Sequence, residues 1–361
     1  MKAHRLEFLD STRGLAALCV LLSHFIGAFN IPSSVTYLNS SIFHMFWNGA
    51  GAVSYFFVLS GFVLSFSHFK NIDAINNLNY PVYILKRFFR IYPAFLATLI
   101  ISWLCVRYVF DISKLASLPE ATEWIKLFWT EKKSVFQMLK EGLLIVRIPQ
   151  EPEKRLINQD WTLTIELITS LLVPVLVLIC KRGNLWLILA VGILLRVHTL
   201  NWIVDFSIGV IIAANIDVIK NYYKRTNLLL RVMFVLVAIV LFVSQFLFHL
   251  TATSADSLIK VANGMFLVYF ISSERIQKVL AVKPLEFLGR ISYSLYLCHF
   301  IFILVLAPIL FNYLRAAFIV NDFATRGLAL LSILSCTFLL SWLLYRFVEA
   351  PFIKASKKIF K

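Results

Sequence analysis

Leu9-Asp10-Ser11-Thr12-Arg13-Gly14-Leu15-Ala16-Ala17-Leu18-Cys19-Val20-Leu21-Leu22-Ser23-His24-Phe25-Ile26 stands near the start of the chain. After Arg13 no acid or base follows until His24. A stretch of this kind, roughly 20 mostly apolar residues, is what a helix needs to cross about 30 Å of hydrocarbon. The residues before it have a basic start, but Glu7 and Asp10 interrupt it and no small-residue cleavage site follows. A lipoprotein reading of Ala16-Ala17-Leu18-Cys19 fails on the bulky Leu18, so the segment is expected to be retained as a membrane helix.

The same pattern recurs along all 361 residues. The chain is 60% hydrophobic with 33 phenylalanines, and its mean hydropathy is +0.81. That is too much apolar surface for one soluble core, and lipid is its solvent. Apolar runs separated by charged breaks fall near 12–30, 49–69, 91–110, 161–180, 184–199, 201–217, 228–249, 258–273, 291–314 and 327–348. The expected fold class is therefore all-α, a polytopic membrane helix bundle of about ten transmembrane helices. The absence of repeats and flexible linkers makes 1–361 a single membrane domain, with an external insert at about 111–160 and a short basic tail at about 350–361. In the insert, Trp124, Phe128 and Trp129 suit either an interfacial element or a surface that meets an acceptor.

A net charge of +16 suggests nucleic acid only until its distribution is read. Lys and Arg fall in short clusters between apolar runs, as juxtamembrane anchors do, and form no groove-sized patch. With the N-terminus inside, the clusters Lys70/Lys86/Arg87/Arg90, Lys181/Arg182, Lys220/Lys224/Arg225/Arg231 and Arg275/Lys278/Lys283/Arg290 share one side with Lys354, Lys357, Lys358 and Lys361. Short cytoplasmic loops are enriched in Lys and Arg, so both termini are expected to be cytoplasmic, in a multi-pass inner (plasma) membrane protein. The five cysteines lie in apolar stretches without metal-ligand or disulfide spacing and read as small core residues. No metal, haem or P-loop spacing is present, and no permanently bound cofactor is expected.

Ionisable groups inside a bilayer are costly, and each is a functional candidate. Eleven residues separate Arg13 from His24, which puts them almost on one helix face, roughly 16 Å apart along the axis. Arg13 at the cytoplasmic end suits phosphate. An imidazole near mid-membrane suits taking a proton from a hydroxyl or carrying an acyl group. The bland alternative pairs Arg13 with Asp10 and hydrogen-bonds His24 to a neighbouring helix. Ser60-Gly61, mid-span, lets another backbone or a thin ligand approach closely. Arg87 and Arg90 share a face at the mouth of the third span, as phosphate ligands or as a positive stop signal. Glu166 lies about one and a half turns into the fourth span, at a depth His24 reaches from below, and is a candidate to orient the imidazole; pairing with Arg196 or His198 is its structural alternative. His299 and Glu349 rank lower, as ordinary hydrogen-bonded groups, Asp205 reads as a structural partner of Arg196, and Pro351 as a helix end.

The N-terminal motif continues in order with Phe56-Phe57-Val58-Leu59-Ser60-Gly61-Phe62, Lys86-Arg87-Phe88-Phe89-Arg90-Ile91-Tyr92-Pro93 and Trp161-Thr162-Leu163-Thr164-Ile165-Glu166. Ile291-Ser292-Tyr293-Ser294-Leu295-Tyr296-Leu297-Cys298-His299 and Val348-Glu349-Ala350-Pro351-Phe352 complete it. This ordered set, over nearly the whole chain, resembles the acyltransferase type 3 family, membrane enzymes that O-acylate O-antigen, exopolysaccharide and related glycans. The resemblance departs at Thr162, where the family has serine, and at Cys298, where it often has tryptophan. It implies an O-acetyltransferase with acetyl-CoA or another acyl-CoA as donor, a glycan or glycolipid as acceptor, and polysaccharide-biosynthesis proteins as partners. It also implies His24, Glu166 and Asp10 as catalytic residues, and Arg13, Arg87, Arg90, Ser60 and Gly61 as donor-binding ones. After Glu349 only the basic tail follows, so transfer is expected to be completed in the membrane domain or with a separate partner. A proton-coupled or lipid-linked-sugar transporter is the competing class; it lacks its usual sign, paired broken helices in corresponding halves.

Overall fold

The computed structural model describes residues 7–30, 33–70, 78–143, 154–184, 201–316 and 322–360. Every extended element among them is a helix, because in hydrocarbon a helix satisfies its own backbone while an open strand does not. The membrane-scale elements are α1 (Phe8–Ala28), α2 (Gly49–Lys70), α3 (Tyr80–Tyr108), α4 (Trp161–Lys181), α5 (Ile203–Ala214), α6 (Leu228–Phe242), α7 (Ala252–Ser272), α8 (Lys283–Ala316) and α9 (Asp322–Leu344). Seven of the helices are long and apolar enough to cross a membrane, and α5 and α6 are shorter apolar helices. The chain is an all-α, multi-pass membrane protein.

The expected span at 184–199 falls almost wholly outside the described residues, as do Arg196 and His198. Several boundaries move. α3 begins at Tyr80 and α8 at Lys283, before their apolar runs, because helices continue past the hydrocarbon where charged residues such as Lys86 and Arg87 are still good helix formers. The sixth apolar run breaks at Asn215 into α5 and an amphipathic helix, Ile216–Arg225. Pro351 does not end a helix. α9 passes through a π-helical turn, Tyr345–Glu349, into a further helix, Ala350–Ile359, with the proline in its first turn, where a missing N–H costs little.

The chain clusters into two compact units. The first comprises Met1–Cys19, Tyr37–Tyr80 and Ile165–Gly289. Here glycines set the helix crossings: a Cβ on Gly61 would stand 2.2 Å from the Phe206 carbonyl oxygen, and one on Gly209 2.1 Å from that of Val58. The close approach at Gly61 is therefore made by α5, backbone to backbone. The start of α8 crosses α1 in the same way, at Gly14 and Gly289. Phe242, Val243, Ala255, Ile259 and Ala262 form an apolar cluster along α6 and α7.

The second unit comprises Val20–Thr36, Pro81–Thr164 and Arg290–Lys361. The Tyr293 hydroxyl donates to the Ile91 carbonyl at 2.8 Å, tying α8 to α3. Cys298 Sγ lies 3.2 Å from Ser341 Oγ, tying α8 to α9. The insert contains two short helices, Ile112–Ala116 and Val135–Glu141, the second opened by a Ser134/Gln137 capping box.

Candidate active site

His24 lies on the part of α1 that belongs to the second unit, and His299 on α8 faces it there. His24 Nδ1 and His299 Nε2 are 2.7 Å apart, and the rings stack with centroids 5.0 Å apart. His299 is fully buried, and its Nδ1 lies 3.2 Å from the Leu295 carbonyl. Proton bookkeeping assigns the tautomers. A carbonyl can only accept, so His299 Nδ1 carries the hydrogen and His299 Nε2 is the acceptor. His24 Nδ1 must then donate, and the free lone pair of the pair ends at His24 Nε2.

The insert closes over this pair. Thr122 N–H donates to the Ala28 carbonyl at 2.9 Å, and its hydroxyl to the Gly27 carbonyl at 2.8 Å. Asn30 N–H donates to the Glu120 carbonyl at 2.7 Å. These bonds stitch residues 120–122 to the end of α1 and lay the Trp124 ring 5.9 Å from that of His24. Phe300 meets His24 edge-on at 5.1 Å and packs against Phe128 at 4.9 Å. Aromatic walls of this kind exclude water and strengthen the electrostatics inside. Farther along the insert, the buried Arg155 and Asp160 form an ion pair. Gln159 Nε2 donates to the carbonyls of Tyr296 and Leu297 at 2.7 and 2.8 Å, and the Thr162 hydroxyl meets that of Tyr296 at 2.8 Å. The turn before α4 thus braces the helix carrying His299. Threonine at 162 keeps the hydroxyl that this contact needs.

The other sequence candidates have these surroundings. Arg13 donates to the Asp10 carboxylate at 3.2 Å, one turn apart on α1. Thr12, between them, accepts from the Tyr55 hydroxyl at 2.8 Å. Arg90 pairs with Glu349, a carboxylate 2% exposed in the π turn, and its guanidinium lies 5.6 Å from the Tyr293 ring. Glu349 also accepts from the Ser294 hydroxyl at 2.9 Å. Arg87, one turn before Arg90, and Glu166 on α4 are both partly buried. Glu166 belongs to the first unit and His24 to the second. Ser60 is buried, and Gly61 faces α5. Asp205 is paired with Lys260 at 3.0 Å; Arg196, its expected partner, lies outside the described residues.

The sequence reading ranked the ring partner, His299, below the catalytic candidates, and gave the aromatic cover, Trp124, no place beside His24. Each carried a signal. His299 is an ionisable group within an apolar span, and Trp124 one of a cluster of aromatics, with Phe128 and Trp129, in the insert. A family model described as Acyltransferase domain matches residues 6–346. No curated protein and no solved structure gives a match.

Proposed function

The chain belongs to the family described as Acyltransferase domain, and from that membership we propose that it moves an acetyl group from acetyl-CoA, or another acyl-CoA, onto a hydroxyl of a cell-envelope glycan or glycolipid. It is an acyl-transferring membrane enzyme. The observation that supports His24 as the reacting group is the contact of its Nδ1 with His299 Nε2 at 2.7 Å, which, with His299 Nδ1 on the Leu295 carbonyl, assigns the pair's outer lone pair to His24 Nε2.

In the general-base route, His24 Nε2 takes the proton of the acceptor hydroxyl as the oxygen attacks the thioester carbonyl carbon. The C–S bond breaks, and the departing thiolate takes the proton from the imidazolium. In the covalent route, Nε2 itself attacks the thioester and expels the thiolate. The acceptor oxygen then attacks the acyl-imidazole, the C–N bond breaks, and the hydroxyl proton, taken up at Nε2, is given to solvent as the released thiolate takes one from it, so that the histidine pair returns to its starting state. His299 serves both. Its Nε2 accepts from Nδ1–H of the ring on which positive charge develops, and such charge-assisted bonds are roughly twice as strong as neutral ones. Arg87, in the unit that carries His24, is proposed as a ligand of donor phosphates, and Arg90 beside it already carries Glu349. On α1, Arg13 is proposed to meet phosphate with Asp10 orienting it. Both termini are proposed to be cytoplasmic and the membrane to be the inner one. A cysteine introduced near Lys132 should label from outside; labelling only after permeabilisation would reverse the topology.

The test is transfer by the purified full-length protein from radiolabelled acetyl-CoA to envelope glycan. Alkali-labile label on the glycan and glycan-dependent release of free CoA thiol are expected. Label retained on the protein at His24 after donor removal marks the covalent route. Donor consumption that is indifferent to added glycan would overturn the acceptor assignment.

A further inference from the structure

Within the first unit, the amphipathic helix Ile216–Arg225 ends at a turn where the Asn227 side chain caps α6 by accepting from Leu230 N–H at 2.9 Å. Between this turn, α6 and the end of α7 lies a groove of about 540 Å³. Leu228, Val232 and Leu236 form its apolar wall, one face of α6 at helical spacing, and all three stay exposed in the folded chain. Its rim is cationic. Lys224, Arg231 and Arg275 stand there against one carboxylate, Glu274.

Arg231 is held in place without being neutralised. Its Nη2 donates to the Lys224 carbonyl at 3.1 Å and its Nε to the Thr226 hydroxyl at 3.3 Å, and the guanidinium lies 4.7 Å from the Tyr223 ring centre. Among the described residues, none of the three rim cations forms an ion pair with a carboxylate. A fixed, uncompensated guanidinium is matched to phosphate, whose oxygens its planar fork engages in pairs. The wall beneath it is matched to a hydrocarbon chain. Those two chemistries meet in one molecule of the bilayer. A zwitterionic lipid would bring its own cation to the same rim, and free phosphate would leave the wall bare.

We propose that this groove is a binding site for an anionic phospholipid, its phosphate held by Arg231, Lys224 and Arg275 and one acyl chain laid along Leu228, Val232 and Leu236. The site secures the amphipathic helix at the membrane surface and is separate from the acyl-transfer chemistry proposed above.

Full-length protein, stripped of lipid in detergent, would be titrated with phosphatidylglycerol or phosphatidylcholine of the same chain length and followed by native mass spectrometry. One tightly retained phosphatidylglycerol is expected, bound at least fivefold better than phosphatidylcholine. Removing a rim cation should weaken it about fivefold per charge. Arg231→Gln tests the fixed guanidinium. Lys224→Gln/Arg275→Gln alters only exposed side chains, so it reads the same charge loss without touching packing, while Lys357→Gln/Lys358→Gln on the C-terminal helix should change nothing. Excess acetyl-CoA or inorganic phosphate should leave the bound lipid in place. Equal retention of the two lipids, unaltered binding by the Lys224/Arg275 double variant, or displacement by acetyl-CoA would each overturn the proposal.

Discussion

Around Lys260 on α7 every charge has its opposite at hand. The ammonium lies 3.0 Å from Asp205 and 2.8 Å from Asp256, beneath the Trp202 ring at 4.9 Å. Ser54 donates to Asp205 at 2.5 Å and accepts from Asn263 at 2.9 Å. Around His24 the hydrogen bonds run in one direction, His24 to His299 to the Leu295 carbonyl, and leave an unshared lone pair. Both clusters sit among apolar helices, where an ionisable group is expensive. In the first, one buried cation holds two carboxylates, so its partners are worth most to the folded state. The second keeps an acceptor in reserve, a poor use of a buried group for stability and a good one for chemistry. Ionisable residues within a membrane are thus better sorted by what their last polar atom lacks than by their presence alone.

That contrast breaks most visibly at His24. General acid–base assistance is typically worth about 10²–10⁴ in rate, so His24→Ala should lose transfer by that factor while its thermal unfolding stays near the parental one. A well-folded His24→Ala protein that transfers at the parental rate would remove the ring from the mechanism. The opposite signature is expected at Lys260. Lys260→Met leaves two carboxylates facing each other in apolar surroundings and should cost about 3–5 kcal/mol of stability. Adding Asp205→Asn should return a good part of it, as read by thermal unfolding in detergent. If the single and double variants melt together, the ion pair is not what holds α5 to α7.

His299 sharpens the comparison because it belongs to the reactive cluster yet offers no free atom of its own. Hydrogen bonds to charged groups contribute about 1.5–3 kcal/mol, so His299→Ala should lower transfer by about 10- to 100-fold. His299→Gln, whose amide oxygen can still accept from His24 Nδ1–H, should recover part of it. Equal loss in both variants would assign His299 to packing. The smallest effect concerns His44, before α2, where burial holds the imidazole down to about 4 and the ring stacks on Phe246. The unfolded chain takes up this proton near pH 6.5 and the folded one only near 4, so stability present above about pH 6.5 is lost as the pH falls towards 4. His44→Gln should flatten the pH dependence of unfolding in that window; an unchanged slope would place the titration elsewhere.

Hydropathy alone made the spans legible, since the length of apolar run needed to cross hydrocarbon is fixed by the bilayer. It placed α1, α2 and α4 within a few residues. It misplaced the starts of α3 and α8, because a helix does not stop where the lipid does, and it hid the π turn that lets α9 pass Pro351. Arg13 and His24 stood out because a base in an apolar run has few reasons to be there.

The partners did not stand out. His24 and His299 are 275 positions apart, Arg90 and Glu349 259, and Ser54 and Asp205 151. Which groups meet depends on how each helix is rotated and on where glycines such as Gly61 and Gly209 let backbones close up. The sequence by itself determined the solvent, the helical class and which groups are too costly to be idle. Only the tertiary structure decided which of them are neutralised and which keep a lone pair, because hydropathy is a sum over neighbours in the chain while pairing is set by neighbours in space.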